Sequence, residues 1–289
     1  MLSSDATLDQ VGDAARELLQ GAIDIHVHFA PDPYAERRLT ADVLVQNARA
    51  AGLAGLVLKS HEYPTQPLAW LLDRQNDDIN VYGGIALDHG VGGLNMEAVS
   101  VSLSIGAKVV WMPTFDSQAW RDFRPGRRHS PGPGITILDD KGDLRDEVMG
   151  ILDLIDEHDA VLASGHLSTE ETAVLLRESR RRGIRSVITH GSFWIELEVQ
   201  QELAGLGAYV EQVMVATTHE DGEEQWEKIQ NQVRAVGPEH VILSTDFGQA
   251  ANPEPPVGFA MWLQYFLDAG FPASEVGRMA RENPKALLT

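Results

Sequence analysis

The stretch AIDIHVH, residues 22–28, is an apolar run that ends in two histidines. Side chains alternate between the two faces of a strand, so we expect His26 and His28 on one face, with Asp24 below them. A His-x-His pattern alone is more typical of two polar residues at the end of a strand than of a metal site. Two adjacent imidazoles repel each other when protonated, however, and a bound cation keeps both neutral. With Asp246 after the last predicted strand, the metal-binding interpretation is favoured.

The same pattern of an apolar run, a polar or glycine-rich loop and a helical stretch recurs along the chain. It predicts strands at 22–28, 55–59, 81–87, 108–112, 160–164, 186–189, 208–213 and 241–244. Helices are predicted at 40–51, 67–75, 95–105, 145–157, 169–182, 196–205, 223–235, 257–269 and 274–282. Eight alternating strands favour an α/β fold, a (β/α)8 TIM barrel, over a doubly wound open sheet. No Gly-x-Gly-x-x-Gly follows the first strand to support a dinucleotide fold.

The composition excludes several classes of protein. The chain has 289 residues, 43 of them acidic and 23 basic, for a net charge of −20. It has no cysteine, which excludes disulfides, thiolate nucleophiles and iron–sulfur clusters. The charge argues against nucleic-acid and anionic-membrane partners. No apolar run approaches a membrane span of ~20 residues, and the N-terminus lacks signal-peptide features, so we expect a soluble, cytoplasmic protein.

We expect one domain over residues 1–289, since no linker divides the chain. An amphipathic helix is predicted within residues 1–20. Residues 113–144 are predicted to form a long insertion after the fourth predicted strand, in which residues 135–138 and the turn at 140–142 form a small hairpin. We expect this insertion to lie over the active-site face.

Imidazole and carboxylate groups follow most of the predicted strands. In a barrel the carboxyl ends of the strands converge on the face that carries the active site. The groups at these ends are His26, His28, His61, His89, His166, His190 and Asp246. The sequence therefore predicts a site at this rim.

The arrangement resembles the amidohydrolase superfamily of metal-dependent hydrolases, from residue 21 to the Asn-Pro pair at 283–284. The motifs that resemble an uncharacterised branch of predicted metal-dependent hydrolases are VLKSH (57–61), WMPT (111–114), SGHLS (164–168) and STDFGQ (244–249). The resemblance implies hydrolysis of an amide, lactone, cyclic imide or related ester-like bond in a small molecule. A decarboxylase or lyase on the same fold is the alternative. A non-catalytic, metal-stabilised ligand-binding barrel is a weaker one.

The resemblance implies that His26, His28 and Asp246 hold one metal and that His166 and His190 hold a second. The fourth predicted strand ends without the bridging lysine or glutamate common in the superfamily. Either Lys59 supplies a carbamate bridge, or one metal lies on His26, His28, His166 and Asp246, with His190 contacting the attacking water.

The predicted chemistry is general acid–base catalysis beside a metal. Asp246 would take the proton of the water and deliver it to the leaving group. Nitrogen and oxygen ligands without sulfur suit zinc best, with manganese, iron or cobalt possible. For Lys59, a salt bridge or a cation for a substrate carboxylate is as consistent as a carbamate.

Basic residues near the predicted rim suggest an anionic substrate. Arg124 and Arg127 belong to the basic, aromatic insertion, and Arg38 follows Arg37 after the first predicted strand. A solvated loop, or a contact between subunits of a homo-oligomer, is the alternative. Candidate substrate contacts also include His61 and His89, for which solvated loop positions are equally consistent. Glu211 is interpretable as a buried salt-bridge partner or as a catalytic group.

Overall fold

The computed structural model describes residues 3–126 and 130–289. Nine strands are present in this part of the chain, and all their pairings are parallel. They are β1 (Ile23–Val27), β2 (Gly55–Leu58), β3 (Asn80–Tyr82), β4 (Gly84–Ala86), β5 (Val109–Trp111), β6 (Val161–Ala163), β7 (Ser186–Ile188), β8 (Tyr209–Val213) and β9 (Val241–Ser244). The predicted α/β architecture with parallel strands is confirmed.

The strand predicted at 81–87 is divided into β3 and β4 at Gly83. A Cβ atom at Gly83 would lie 2.5 Å from Gln66 Cα, so the glycine permits close packing against the next helix. Thr65 Oγ1 also accepts a hydrogen bond of 2.9 Å from the Gly84 N–H. These contacts interrupt the ladder, and the strands fall into two sheets of order β1-β2-β3 and β4-β5-β6-β7-β8-β9.

The first and last strands also adjoin. Val27 forms a parallel bridge with Phe247, just beyond β9. The His28 N–H donates to Phe247 O at 2.7 Å, and the Asp246 N–H donates to His26 O at 2.9 Å. These bonds bring the two ends of the strand series together at the predicted metal ligands.

Thirteen α-helices lie within the described residues. They are α1 (Asp13–Leu19), α2 (Ala41–Ala50), α3 (Gln66–Arg74), α4 (Met96–Ser104), α5 (Gln118–Phe123), α6 (Asp146–Glu157), α7 (Thr169–Arg182), α8 (Gly191–Trp194), α9 (Leu197–Gly205), α10 (Gly222–Val236), α11 (Pro255–Asp268), α12 (Ala273–Gly277) and α13 (Asn283–Leu288). The helix predicted at 274–282 is α12 followed by a π-helical turn, Arg278–Glu282. Pro284 has no N–H to continue the α-helical ladder there. Across the described chain, none of the helices is long and apolar enough for a membrane crossing.

A bulge in β1 alters the predicted alternation. Asp24 pairs with Leu56 and Val27 with Leu58, so one extra residue lies on the β1 side. The Asp24 carboxylate accepts hydrogen bonds from the His26 N–H at 3.2 Å and the Thr245 N–H at 3.1 Å. The Asp24 carboxylate therefore binds the backbone of β1 and of the residue that follows β9. This corrects the expectation that Asp24 lies on the same face of the strand as the two histidines.

Two apolar clusters hold the sheets in place. The larger lies between the strands and the helices, and the smaller lies on the opposite face of the strands. The smaller cluster includes Ile25, Val57 and Trp111, with Leu287 and Leu288 of α13 packed against them. This apolar floor lies beneath the polar strand ends that carry the site.

Two isolated β-bridges hold together the described part of the insertion after β5. Ser117 bridges to Ile135, and Leu138 bridges antiparallel to Leu144 around a turn. Helix α5 begins at Gln118, where Ser117 Oγ accepts a hydrogen bond from the Trp120 N–H at 3.0 Å. The two bridges and the hydrogen bond from the Trp120 N–H to Ser117 fix the position of α5.

The turn after β6 contains a glycine whose replacement tests this packing. Gly165 has φ +63°, and a Cβ there would lie 2.6 Å from Pro113 O and closer still to Met112 O. We expect Gly165→Ala to lower the free energy of unfolding by about 2 kcal/mol or more, measured by urea unfolding.

The matched control is Gly142→Ala. Gly142 also has positive φ (+86°), but none of the described residues comes within 4 Å of the position that its Cβ would occupy. The substitution should cost about 1 kcal/mol, the conformational term alone. Equal losses in both variants would contradict the role of the close carbonyl contacts.

Candidate metal centre

Side chains from the carboxyl ends of three strands, β1, β7 and β9, meet at Asp246. Asp246 Oδ1 lies 3.0 Å from His28 Nε2 and 3.2 Å from His26 Nε2, and Asp246 Oδ2 lies 3.7 Å from His190 Nε2. His190 and Asp246 have φ of +55° and +54°. Left-handed backbone is costly for residues other than glycine and concentrates at functional sites. In this protein two residues of the cluster, His190 and Asp246, adopt this left-handed conformation.

Glu211 of β8 joins this cluster and was left open by the sequence. Its Oε1 lies 3.0 Å from His26 Nδ1 and accepts a hydrogen bond from Ser244 Oγ at 2.7 Å. Its Oε2 accepts from the His190 N–H at 3.2 Å. A carboxylate bound to one ring nitrogen of a histidine holds the proton there and leaves the other nitrogen free for a ligand. The only sequence signal was a glutamate within a buried strand.

The charge states suit a cation. Burial lowers the pKa of His28 to about 3 and that of His190 to about 4, so both imidazoles are neutral at neutral pH. Burial acts to raise the pKa of Asp246, but the electrostatic interaction with His26 and the hydrogen bond from His28 hold it well below its usual value. For Glu211, His26 outweighs the same burial effect and lowers the pKa to about 2. Neutral imidazoles and ionised carboxylates are the forms that bind metals.

Buried ring nitrogens without partners provide the test of fit. Both ring nitrogens of His166 and the Nδ1 atom of His190 are buried. None of these three atoms forms a hydrogen bond with a described residue. An unsatisfied buried polar atom costs about 1–3 kcal/mol. Two groups have ligand atoms within 4.8 Å of one another: His26, His190 and Glu211, and His26, His28 and Asp246. These nitrogen and oxygen donors fit a divalent cation.

Lys59 lies inside the same cluster. Its Nζ is 3.0 Å from His26 Nε2 and 5.4 Å from the centroid of the Trp111 ring. Only 1% of the residue is exposed. Burial lowers the pKa of Lys59, while Asp246 and Glu211 act in the opposite direction. The lysine therefore contacts His26, the residue that both candidate ligand groups share.

A cavity of about 630 Å³ opens above the cluster. His28, His166, His190 and Asp246 lie at its floor, and the predicted substrate residues His61 and Arg124 line it. Its wall on the insertion side is aromatic: Phe115 lies 3.9 Å from the His61 ring, and Trp120 lies 5.0 Å from the His166 ring, centroid to centroid.

Two predicted substrate residues are not in the cavity lining. Arg38 contacts Ala250 O at 3.4 Å, and it is the adjacent Arg37 that lines the cavity, paired with Asp32 at 2.7 Å. The His89 Nε2 lies 2.8 Å from Pro133 O, and the ring supports the insertion. Arg127 lies outside the described residues.

Comparison with known families places the chain. Residues 21–211 match DUF6282, a family of unknown function. The chain belongs to this family. No curated protein matches the sequence.

Solved structures share the fold over nearly the whole chain. An amidohydrolase from Pseudomonas aeruginosa is 14% identical, with a TM-score of 0.69 over 95% of this chain and 98% of its own. A lactonase from Listeria monocytogenes is 13% identical, with a TM-score of 0.65 over 95% and 96%. An amidohydrolase from Burkholderia multivorans with bound zinc is 14% identical, with a TM-score of 0.62 over 92% and 98%. The resemblance to the amidohydrolase superfamily is confirmed at the level of the fold.

The contact between Glu211 and His26 leads to a prediction about metal affinity. Glu211→Gln keeps the shape of the side chain but removes the charge that orients the ring of His26. We expect it to weaken metal binding by about 10–100-fold, measured by competition with a chelator. Glu198→Gln, on the exposed surface of α9, is the matched control. Unchanged affinity in Glu211→Gln would show that the carboxylate does not support a ligand.

Proposed function

We propose that this protein is a metal-dependent hydrolase that cleaves an amide, lactone, cyclic imide or related ester-like bond in a small molecule. The observation that carries the proposal is the buried cluster of neutral imidazoles and ionised carboxylate at the floor of the cavity. Such a set can hold a cation and move a proton at the same place. We place this activity in the cytoplasm.

The proposed architecture is a (β/α)8 barrel formed by one domain. It counts β3 and β4 as one strand and joins β1 to β9 through the Val27–Phe247 bridge. In such a barrel the catalytic groups stand at the carboxyl ends of the strands. The described residues of the insertion, 113–126 and 130–144, would then form part of the wall above the site.

We assign His26, His28, His166, His190 and Asp246 to metal binding, for one ion or two. Zinc fits this donor set best. A divalent cation there lowers the pKa of a water molecule and polarises a substrate oxygen. Lys59 is the candidate bridging ligand if it is carboxylated; otherwise it is a cation that faces the substrate.

Proton transfer falls to Asp246. It is ionised, lies at the cavity floor and receives hydrogen bonds on the side of His28. As a base it accepts the proton of the attacking water, and as an acid it returns this proton to the leaving group. His190, beside its second oxygen, orients the carboxylate and contacts the water.

Substrate binding is assigned to the arginines of the cavity. Arg37 has a side chain only 5% exposed, held by Asp32, and Arg124 is exposed at the rim. On a chain of net charge −20, attraction of an anion has to be local. We therefore propose a small anionic substrate. Decarboxylation is the alternative reaction, and ligand binding without turnover is a third.

The test is a substrate panel with metal-loaded protein. We expect hydrolysis of at least one lactone, cyclic imide or amide that carries a carboxylate, followed by product analysis. Release of carbon dioxide instead of a hydrolysis product would assign the decarboxylase. Binding without conversion of any bound compound would contradict the enzyme and support the binding protein.

Variants separate metal binding from proton transfer. His26→Ala should lose bound metal and activity together, because it removes the ligand shared by both groups. Asp246→Asn keeps an oxygen ligand but removes the proton acceptor, so it should retain more metal than activity. Metal content is measured by elemental analysis, with the exposed His158→Ala as control. Equal, complete loss of metal in both variants would make Asp246 a ligand only.

Substitution of Arg124 tests the proposal that the substrate is anionic. We expect Arg124→Ala to raise KM several-fold with a smaller change in kcat, as for lost uniform binding. The effect should shrink as salt rises through about 0.15 M, where the screening length is roughly 8 Å. Arg177→Ala, on the outer surface of α7, is the control. An unchanged KM at low salt would contradict the assignment, and a changed oligomeric state would indicate a subunit contact.

A further inference from the structure

A chain of hydrogen bonds runs from the cavity into the protein behind His61. The Nδ1 atom of His61 lies 2.7 Å from Thr114 Oγ1, and Thr114 Oγ1 donates to Asp88 Oδ2. The three residues follow β2, β5 and β4, and their exposed fractions are 4%, 0% and 1%. Three polar groups from separate strand ends are thus buried in contact with one another.

The partners of Asp88 decide the direction of this chain. Its Oδ1 accepts hydrogen bonds from the backbone N–H groups of Thr114 at 2.8 Å and Asp116 at 3.0 Å. An ionised carboxylate can only accept, so the single hydroxyl hydrogen of Thr114 is given to Asp88. The hydroxyl oxygen is then left to accept from His61 Nδ1. A neutral imidazole has one N–H, so its Nε2 carries a lone pair.

We propose that Asp88 and Thr114 are positioning residues that hold His61 in the Nδ1–H tautomer, so that the ring offers the substrate a hydrogen-bond acceptor, Nε2. Packing keeps the ring in place. It stacks on His28 with a centroid distance of 4.9 Å and an interplanar angle of 21°, and it packs on Phe115. The part of the proposal that concerns substrate rests on the proposed function.

This tautomer restricts the group that binds beside His61. An N–H or O–H of the substrate can donate to Nε2, whereas a carboxylate oxygen would meet a second lone pair. The carboxylate of an anionic substrate is therefore directed to Arg37 and Arg124, and a hydroxyl or amide N–H to His61. The site selects compounds that carry both groups.

A purely structural role is the competing explanation. The bonds from Asp88 Oδ1 to the backbone fix the start of the insertion whether or not His61 has a preferred tautomer. Substitutions that keep these bonds and change only the proton direction separate the two roles. Asp88→Asn does so, because the amide oxygen still accepts from the backbone while the amide nitrogen donates to Thr114.

The experiment is nitrogen NMR of the full chain with ¹⁵N-labelled histidine, with and without bound zinc. Spectra are recorded at about pH 8, where Asp88 is ionised, since burial raises its pKa to about 6 against the hydrogen bonds of Thr114. The signals of His61 are assigned by their loss in His61→Asn. We expect the proton on Nδ1 in the native protein and in Thr114→Ser, which retains the hydroxyl.

Two variants should change the tautomer. In Asp88→Asn the donors reverse, Thr114 donates to Nδ1, and the proton of His61 moves to Nε2. In Thr114→Val the hydroxyl is lost in a side chain of the same shape, and the fixed Nδ1–H signal is replaced by a mixture. A native protein with the proton on Nε2, or an unchanged His61 signal in both variants, would overturn the proposal. Thermal unfolding confirms that each variant is folded.

A kinetic readout follows for any substrate found in the panel. Thr114→Val should lower kcat/KM about tenfold for a substrate with a donor group, which corresponds to about 1.4 kcal/mol, and Thr114→Ser should not. An equal loss for a matched compound without the donor would contradict the substrate contact. Because the NMR measurement needs neither turnover nor metal, a failed tautomer assignment is distinguishable from a failed hydrolase assignment.

Discussion

The hydrogen bond from the Asp246 N–H to His26 O is the contact on which the rest of the site depends. It joins the segment after the last strand to the first strand and places a carboxylate beside two imidazoles. Asp246 adopts left-handed backbone there, which costs a residue with a Cβ about 1–2 kcal/mol. The conformation persists because both its backbone and its side chain are bound, to His26 O and to the histidine rings.

The buried carboxylates fall into two kinds according to their partners. Burial raises the pKa of Asp24 to about 7 and that of Asp88 to about 6, although backbone and threonine donors oppose it. Glu211 is buried and the side chain of Asp246 is 14% exposed, and the imidazoles beside these two carboxylates lower their pKa values. The first pair therefore binds backbone N–H groups: Asp24 at the β1 bulge and Asp88 at the start of the insertion. The second pair provides the negative charge that a cation requires.

The sequence predicted the parts of the site that depend on strand periodicity. Polar residues at strand ends had to converge once the strands were parallel, and the structure brings His26, His28, His166, His190 and Asp246 together. The sequence could not predict the β1 bulge, because an extra residue in a strand leaves no signal in the composition. Nor could it choose between Arg37 and Arg38, since a loop has no fixed alternation. The roles of Glu211 and of the Asp88–Thr114 pair depend on contacts between distant segments, which spacing does not encode.

His26 and His61 are held by the same device at different strength. In His26 the Nδ1 atom meets the Glu211 carboxylate directly, whereas in His61 a threonine hydroxyl stands between the ring and Asp88. A direct carboxylate makes the opposite nitrogen more basic and a better metal ligand. A hydroxyl oxygen transmits less of the charge, so it fixes the direction of the ring without the same gain in basicity. In the two proposals, one fold thus prepares two imidazole lone pairs for different partners: the nitrogen of His26 would bind a cation, and that of His61 would accept from a hydrogen-bond donor in the cavity.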